Sequence, residues 1–155
     1  MPASSRVRVA RVEIEVQRAI TAGGPSDDCL QTWAEAAMCV PGRSLLLRYV
    51  DAEESRALNC TYRGRDKPTN VLSFPFELPP GVDDSHLGDL VICVPVVEAE
   101  AEAQGKSIEA HHAHMVIHGL LHLQGHDHES DDEATRMESL EIEILRQLGY
   151  DNPYE

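Results

Sequence analysis

Between Met115 and His128 the chain reads MVIHGLLHLQGHDH, and two opposed demands meet there. Met115, Val116, Ile117, Leu120, Leu121 and Leu123 call for burial, whereas His118, His122 and His128 carry polar rings that a core accepts only with partners. A helix reconciles the two. Residues four apart stack one turn above another, so His118 and His122 share one edge of an otherwise apolar helix. Gly125 then supplies a chain reversal, after which His128 can return toward the first two rings. A histidine pair alone would carry little information. The H-x3-H-x5-H spacing across a glycine, walled by apolar residues, is specific for a metal. Three imidazoles without a fourth protein ligand form an open, catalytic zinc site in which water takes the remaining position. Structural zinc is closed by four ligands, often cysteines, and Cys29, Cys39, Cys60 and Cys93 are scattered far from this segment.

The other elements follow from periodicity and caps. Val7 and Val9, then Val12, Ile14 and Val16, alternate as a strand with a parity break near Ala10. Residues 21–26 form a loop, and Ser26, Asp27 and Asp28 open a helix with Leu30, Trp33 and Ala37 on one face, stopped by Pro41-Gly42. Leu45 to Val50 reads as a strand buried on both sides. Asp51 and Glu54 resemble a capping box for a helix to about Tyr62. A basic turn (RGRDKPT) leads into a strand from Val71 to Phe76, with Pro75 marking an edge or terminus. After the loop Leu78 to Asp84, Leu90 to Val94 is a buried strand, and Pro95 opens a helix that ends at Gly105. Ser107 starts the histidine helix. Ser130 and Glu133 form a full capping box for a last helix with a stripe of Ala134, Met137, Leu140, Ile144 and Leu148, ended by Gly149. The expected fold is α/β (α+β): one domain over residues 1–155, with a mixed sheet of about four strands, about five helices, and the zinc-site helix near the C-terminus.

On the histidine helix His111, His114, His118 and His122 fall within about 80° of one another. Four ligands would span three turns, so the pair nearest Gly125 plus His128 is the expected set. His111 and His114 are expected to support the ligands or to line a substrate cleft, while His112 and His126 lie off the stripe and are expected at the surface. Zinc on three neutral imidazoles keeps most of its charge and brings the pKa of bound water to about 7, which points to a hydrolase. The spacing also matches the metzincin motif H-E-x-x-H-x-x-G-x-x-H, except that Gly119 stands where that motif has its glutamate. Peptide hydrolysis uses that carboxylate to carry the water's proton to a poor leaving group. Neither Glu109 nor Asp127 has its position. A phosphodiester asks instead for neutralisation of its oxygens, which a metal and the planar fork of Arg63 can supply. Asn70 and Ser73 offer neutral donors to phosphate or sugar.

The 155 residues carry a net charge of −14, which excludes a protein that coats nucleic acid through its overall field. The charge is uneven: residues 1–76 hold ten Lys/Arg against nine Asp/Glu, and residues 77–155 hold three against eighteen. Arg56, Arg63, Arg65 and Lys67 thus form a local basic patch on an acidic body. Scattered thiols, no secretory h-region and no apolar run of membrane-spanning length fit a cytoplasmic protein.

HGLLHLQGHDH resembles the H-G-x-L-H-L-x-G-Y-D-H signature of the YbeY family of bacterial rRNA maturation factors. LNCTYRGRDKPTNVLSFPFE (Leu58 to Glu77), LGDLVIC (Leu87 to Cys93), EAHHAHM (Glu109 to Met115) and the DDEA–E–LE–GY tail look like it too. The resemblance runs from about Leu45 to Tyr150 and implies a single-strand-specific, zinc-dependent endoribonuclease. Its implied roles are maturation of the 16S rRNA 3′ end and ribosome quality control. It further implies a single Zn²⁺ per chain on His118, His122 and His128, and activity linked to Arg63. Implied partners are single-stranded rRNA, the small ribosomal subunit with one of its proteins, and the GTPase Era, with no membrane. Arg65 and Lys67 would track an unpaired strand, with Asn70, Ser73 and His114 as further substrate contacts. His126 replaces the family's tyrosine, which makes it an alternative ligand or proton carrier. The competing readings are a metzincin-like metallopeptidase and a non-catalytic, zinc-stabilised ribosome assembly factor.

Overall fold

The computed structural model describes residues 12–38, 42–76, 85–126 and 130–154. Within them lie β1 (Val12–Arg18), α1 (Asp27–Ala37), β2 (Arg43–Val50), α2 (Ala52–Arg63), β3 (Val71–Pro75), β4 (His86–Cys93), α3 (Val94–Gln104), α4 (Ile108–Leu123) and α5 (Asp131–Gln147). That is the expected order of elements. Val7, Val9 and the parity break near Ala10, Pro41, the Leu78 to Asp84 loop, Asp127 and His128 lie outside the described residues.

The strands form one sheet in the order β1-β2-β4-β3. β1 and β4 flank β2 in parallel, while β3 runs antiparallel to β4, so the sheet is mixed as expected. Leu45, Leu47 and Tyr49 of β2, with Leu90 and Ile92 of β4, face α1 and α4 in the main core. Val50, Leu72, Val91 and Cys93 point the other way, toward Leu58 of α2. β2 is therefore not buried on both sides: Leu46 and Arg48 are only half-buried, because α2 covers only part of that face. β4 begins at His86, four residues before the expected Leu90, and pairs with Ser44 to Leu46 and with Phe74 and Pro75.

Caps set the helix boundaries. Ser26 accepts from the Cys29 N–H at 3.2 Å, and Ser107 from Ala110 at 3.0 Å. At α5 both halves of the Ser130–Glu133 box form. At α2 only one half does: Asp51 accepts from the Glu54 N–H, while the Glu54 carboxylate turns to Arg48 at 2.5 and 3.0 Å.

Two features bring the histidine helix and the basic turn together. α4 runs through the centre, with Val116, Ile117, Leu120 and Leu121 fully buried. Each such leucine or isoleucine contributes about 1.5–3 kcal/mol, and Leu120→Ala would cost about 2–5 kcal/mol. On the far side of the sheet, α2 buries two polar residues, Ser55 and Asn59. The Ser55 hydroxyl donates to the Thr69 carbonyl and accepts from its N–H, and the Asn59 amide donates to the Lys67 carbonyl at 2.8 Å. These bonds fold the basic turn back onto α2 and deliver Val71 to the edge of the sheet beside α4.

Candidate metal and phosphate site

α4 ends in a Schellman motif. The Gly125 N–H donates to the His122 carbonyl and the His126 N–H to the Leu121 carbonyl, with Gly125 at φ +98°. This is the chain reversal expected from Gly125, and it follows directly on His122. His128 lies three residues beyond it, outside the described residues.

The histidine stripe changes character along the helix. At its N-terminal end His111 is 2% exposed and its Nε2 meets Glu100 at 2.9 Å. Burial outweighs that carboxylate and lowers the His111 pKa. Next, His114 is 6% exposed and its Nε2 lies 2.7 Å from Glu141 Oε1. One turn on, His118 Nδ1 lies 2.8 Å from Glu141 Oε2. The His118 and His122 rings then sit 4.7 Å apart, centroid to centroid, in a T-shaped pair. His118 and His122 line a cleft of 400 Å³ together with Arg63, Asn70 and Ser73. His111 and His114 do not line it. His114, expected among the substrate contacts, stands behind His118.

Glu141 of α5 is completely buried. Burial pushes its pKa up, but hydrogen bonds from His114 and His118, the His118 charge and the Tyr154 hydroxyl outweigh that and hold it down at about 2. An ionised carboxylate only accepts, so His118 Nδ1 carries a hydrogen toward Glu141. A carboxylate behind a ligating imidazole is the usual support of a metal-binding histidine. The donor set thus fits a divalent transition ion. Among the described residues His114, His118 and Glu141 also form a group that could itself hold one, with their ligand atoms within 4.8 Å of one another.

Across the cleft Arg63 is exposed at the end of α2, where Gly64 (φ +70°) caps the helix. Its Nη2 donates to the Ser73 carbonyl at 2.9 Å, and its guanidinium carbon stands 5.5 Å from the Phe74 ring centroid. One of five N–H donors is so engaged, on a fork that stands beside an aromatic ring. Asn70 lines the cleft with its amide donating to Glu100 at 3.1 and 3.3 Å. Arg65 and Lys67 are exposed on the turn and do not line the cleft.

Gly119 explains why the metzincin glutamate is missing. A Cβ there would stand 2.7 Å from Leu90 Cδ2 and 3.4 Å from Ser73 Oγ, so α4 rests directly on the sheet at this point. A carboxylate side chain there would have to displace the buried Leu90 side chain. Glu109, in the first turn of α4, accepts from the Tyr150 hydroxyl at 2.6 Å.

His112 corrects an expectation. It is 1% exposed rather than at the surface, its ring centroid 5.8 Å from that of Tyr49. Neither of its nitrogens nor the Tyr49 hydroxyl has a hydrogen-bond partner among the described residues. Burial lowers its pKa to about 4. Glu141 and Tyr154 were missed. Glu141 had a signal, since it sits four residues from both Met137 and Leu145, a carboxylate inside the apolar face of α5. Tyr154 had none.

The family model described as Endoribonuclease YbeY matches residues 13–149. The chain is 57% identical over 143 residues to the Endoribonuclease YbeY of Methylococcus capsulatus, covering 92% of this chain and 95% of that protein. Its fold is similar to the solution structure of TM1509 from Thermotoga maritima, with a TM-score of 0.57 and 24% identity over 88% of this chain and 91% of that one. At that identity the likeness shows the fold alone.

Proposed function

The chain belongs to the YbeY family of endoribonucleases, and from that premise we propose how its cleft cuts RNA. The protein is a hydrolase of RNA phosphodiester bonds that acts in rRNA maturation. The observation that carries this reading is the meeting of His118 and His122 with Arg63 in one 400 Å³ cleft.

His118, His122 and His128 hold a zinc ion, a single one per chain. When bound, it supplies Lewis-acid charge at the phosphate and a water of lowered pKa. The chain's own residues do the rest. Arg63 grips the phosphate oxygens with the guanidinium donors that Ser73 does not engage, and the Phe74 ring packs beside the fork. The Ser73 side chain donates to phosphate or sugar. Asn70 contributes by holding the start of β3 against Glu100. His118 Nδ1 keeps its hydrogen on Glu141, and Nε2 would be the nitrogen it offers to the metal. Arg65 and Lys67 track the strand outside the cleft.

The substrate is unpaired rRNA at the 3′ end of 16S rRNA. Binding to free RNA is weak, because the body is acidic. Partners therefore bring the substrate: the small ribosomal subunit with one of its proteins, and the GTPase Era. The protein works in the cytoplasm, with residues 1–155 as one domain. Among the described residues no helix is long and apolar enough to cross a membrane.

The test is cleavage of a single-stranded RNA beside its duplex, with zinc content measured on the same samples. The wild type should cut the single strand and lose activity to a chelator. His122→Ala should lower cleavage by about a thousandfold, an effect of about 4 kcal/mol, with the fold kept. A variant that unfolds, or that cuts normally without zinc, would remove the catalytic reading.

A further inference from the structure

Glu141 is the one carboxylate among the described residues that is completely buried, and it makes three contacts. Oε1 accepts from the Tyr154 hydroxyl at 2.5 Å and from His114 Nε2 at 2.7 Å, while Oε2 accepts from His118 Nδ1 at 2.8 Å. A buried carboxylate needs such donors, so satisfaction of the charge explains that partners exist. It does not explain their division. One oxygen takes the two groups remote from the cleft, and the other is left to His118, which lines it. The two clamping groups come from separate places. His114 stands one turn back on α4, its ring centroid 5.3 Å from that of Tyr154. Tyr154 comes from the tail beyond α5. His118 is the more exposed of the pair, its side chain 22% exposed against 0% for Glu141.

We propose that Glu141 is a positioning residue that fixes the ring orientation and tautomer of His118 for the metal, and that His114 and Tyr154 of the C-terminal tail clamp the carboxylate in place. This rests on the metal reading above. In this role Glu141 would touch neither substrate nor metal, and would act through His118. Without the carboxylate, the hydrogen of His118 would be shared between its two nitrogens, and Nε2 would present its lone pair for only part of the time.

Zinc alone is the probe, titrated into the full chain against a competing chelator. In parallel, the His118 tautomer is read from two-bond ¹⁵N–¹H couplings in metal-free protein. The wild type should bind one equivalent and carry its hydrogen on Nδ1. Glu141→Gln should bind zinc about 10–100-fold more weakly and show His118 shifted toward the Nε2–H tautomer. Tyr154→Phe, which deletes only the hydroxyl, should weaken zinc in the same direction by less. Should Glu141→Gln fail to fold, Tyr154→Phe decides, and wild-type affinity there would overturn the proposal. Unchanged affinity and tautomer in a folded Glu141→Gln, beside a wild type that binds zinc, would overturn this proposal alone. No zinc uptake by the wild type would overturn the metal reading as well. Zinc lost by Glu141→Gln and His114→Ala alike but kept by His122→Ala would make the carboxylate a ligand and end the positioning role.

Discussion

The two walls of the cleft are built on opposite plans. On the α4–α5 side, His114 and Glu141 are packed into the interior, the half-buried His118 and the exposed Tyr154 close on them, and the hydrogen bonds run side chain to side chain. On the α2–β3 side, Arg63, Arg65 and Lys67 stand in solvent, and the turn is held by Ser55 and Asn59 bonding to its backbone. A buried network fixes geometry but ties every member to the fold. An exposed arm tied by its backbone leaves its cationic tips replaceable without loss of structure. The Glu141 network behind the metal ligands should therefore couple chemistry to stability, whereas the phosphate wall should separate them.

Arg63→Ala is the hardest test of that separation. Removing one preorganised donor to developing charge costs about 10²–10³ in kcat. The side chain is exposed, so the thermal midpoint should move by no more than about 0.5 kcal/mol allows. Arg63→Lys should recover only part of the rate, since an ammonium cannot reproduce the fork beside Phe74. RNA cleavage and thermal unfolding on the same preparations decide it. A large stability loss in Arg63→Ala would show that the guanidinium bond to Ser73 holds the sheet edge, and the contrast between the walls would fail.

The buried wall has a pH signature of its own. His112 stays neutral in the fold down to about pH 4, while in the unfolded chain it protonates near its ordinary 6.5. The unfolded state therefore binds the proton first. The contribution is complete above pH 6.5 and erodes as pH falls toward 4, by about 3 kcal/mol in all. Denaturant unfolding in chelator should show that loss in the wild type and a flatter profile in His112→Phe. Equal slopes would mean that His112 takes up a proton in place.

How much of this the sequence disclosed follows the same division. The order of elements was legible because α1, α2, α4 and α5 each open on a side-chain cap, as Ser107 and Ser130 show, and α3 opens on Pro95. The Gly125 turn and the pairing of His118 with His122 were legible for the same local reason. β4 was read four residues short because His86 to Asp89 has no apolar alternation, and only its neighbours make it a strand. His112 lies off the polar stripe, a position from which the sequence predicts the surface. α4 is enclosed by α1, α3, α5 and the sheet, so its off-stripe positions are core. Glu141 became a partner of His118 only when α5 met α4. That meeting, like the return of Tyr154, is tertiary and has no counterpart in local spacing.

The smallest effect sharpens the picture of the exposed wall. Arg65 and Lys67 lie outside the cleft, so they reach only backbone phosphates flanking the scissile one. Each phosphate contact on a single strand adds about 0.7 to the slope of log affinity against log salt. Lys67→Ala should therefore lower that slope by no more than about 0.7, uniformly across sequences, with the cleavage rate at saturating RNA unchanged. The Lys67 carbonyl, not its ammonium, bonds to Asn59, so the turn keeps its shape in the variant. Arg65→Ala should do the same. Affinity titrations at several salt concentrations, with single-turnover cleavage alongside, separate the alternatives. A fall in the saturating rate would bring the residue into the cleft. An unchanged slope would take it off the RNA path and leave Arg63 as the cation on that wall that meets the strand.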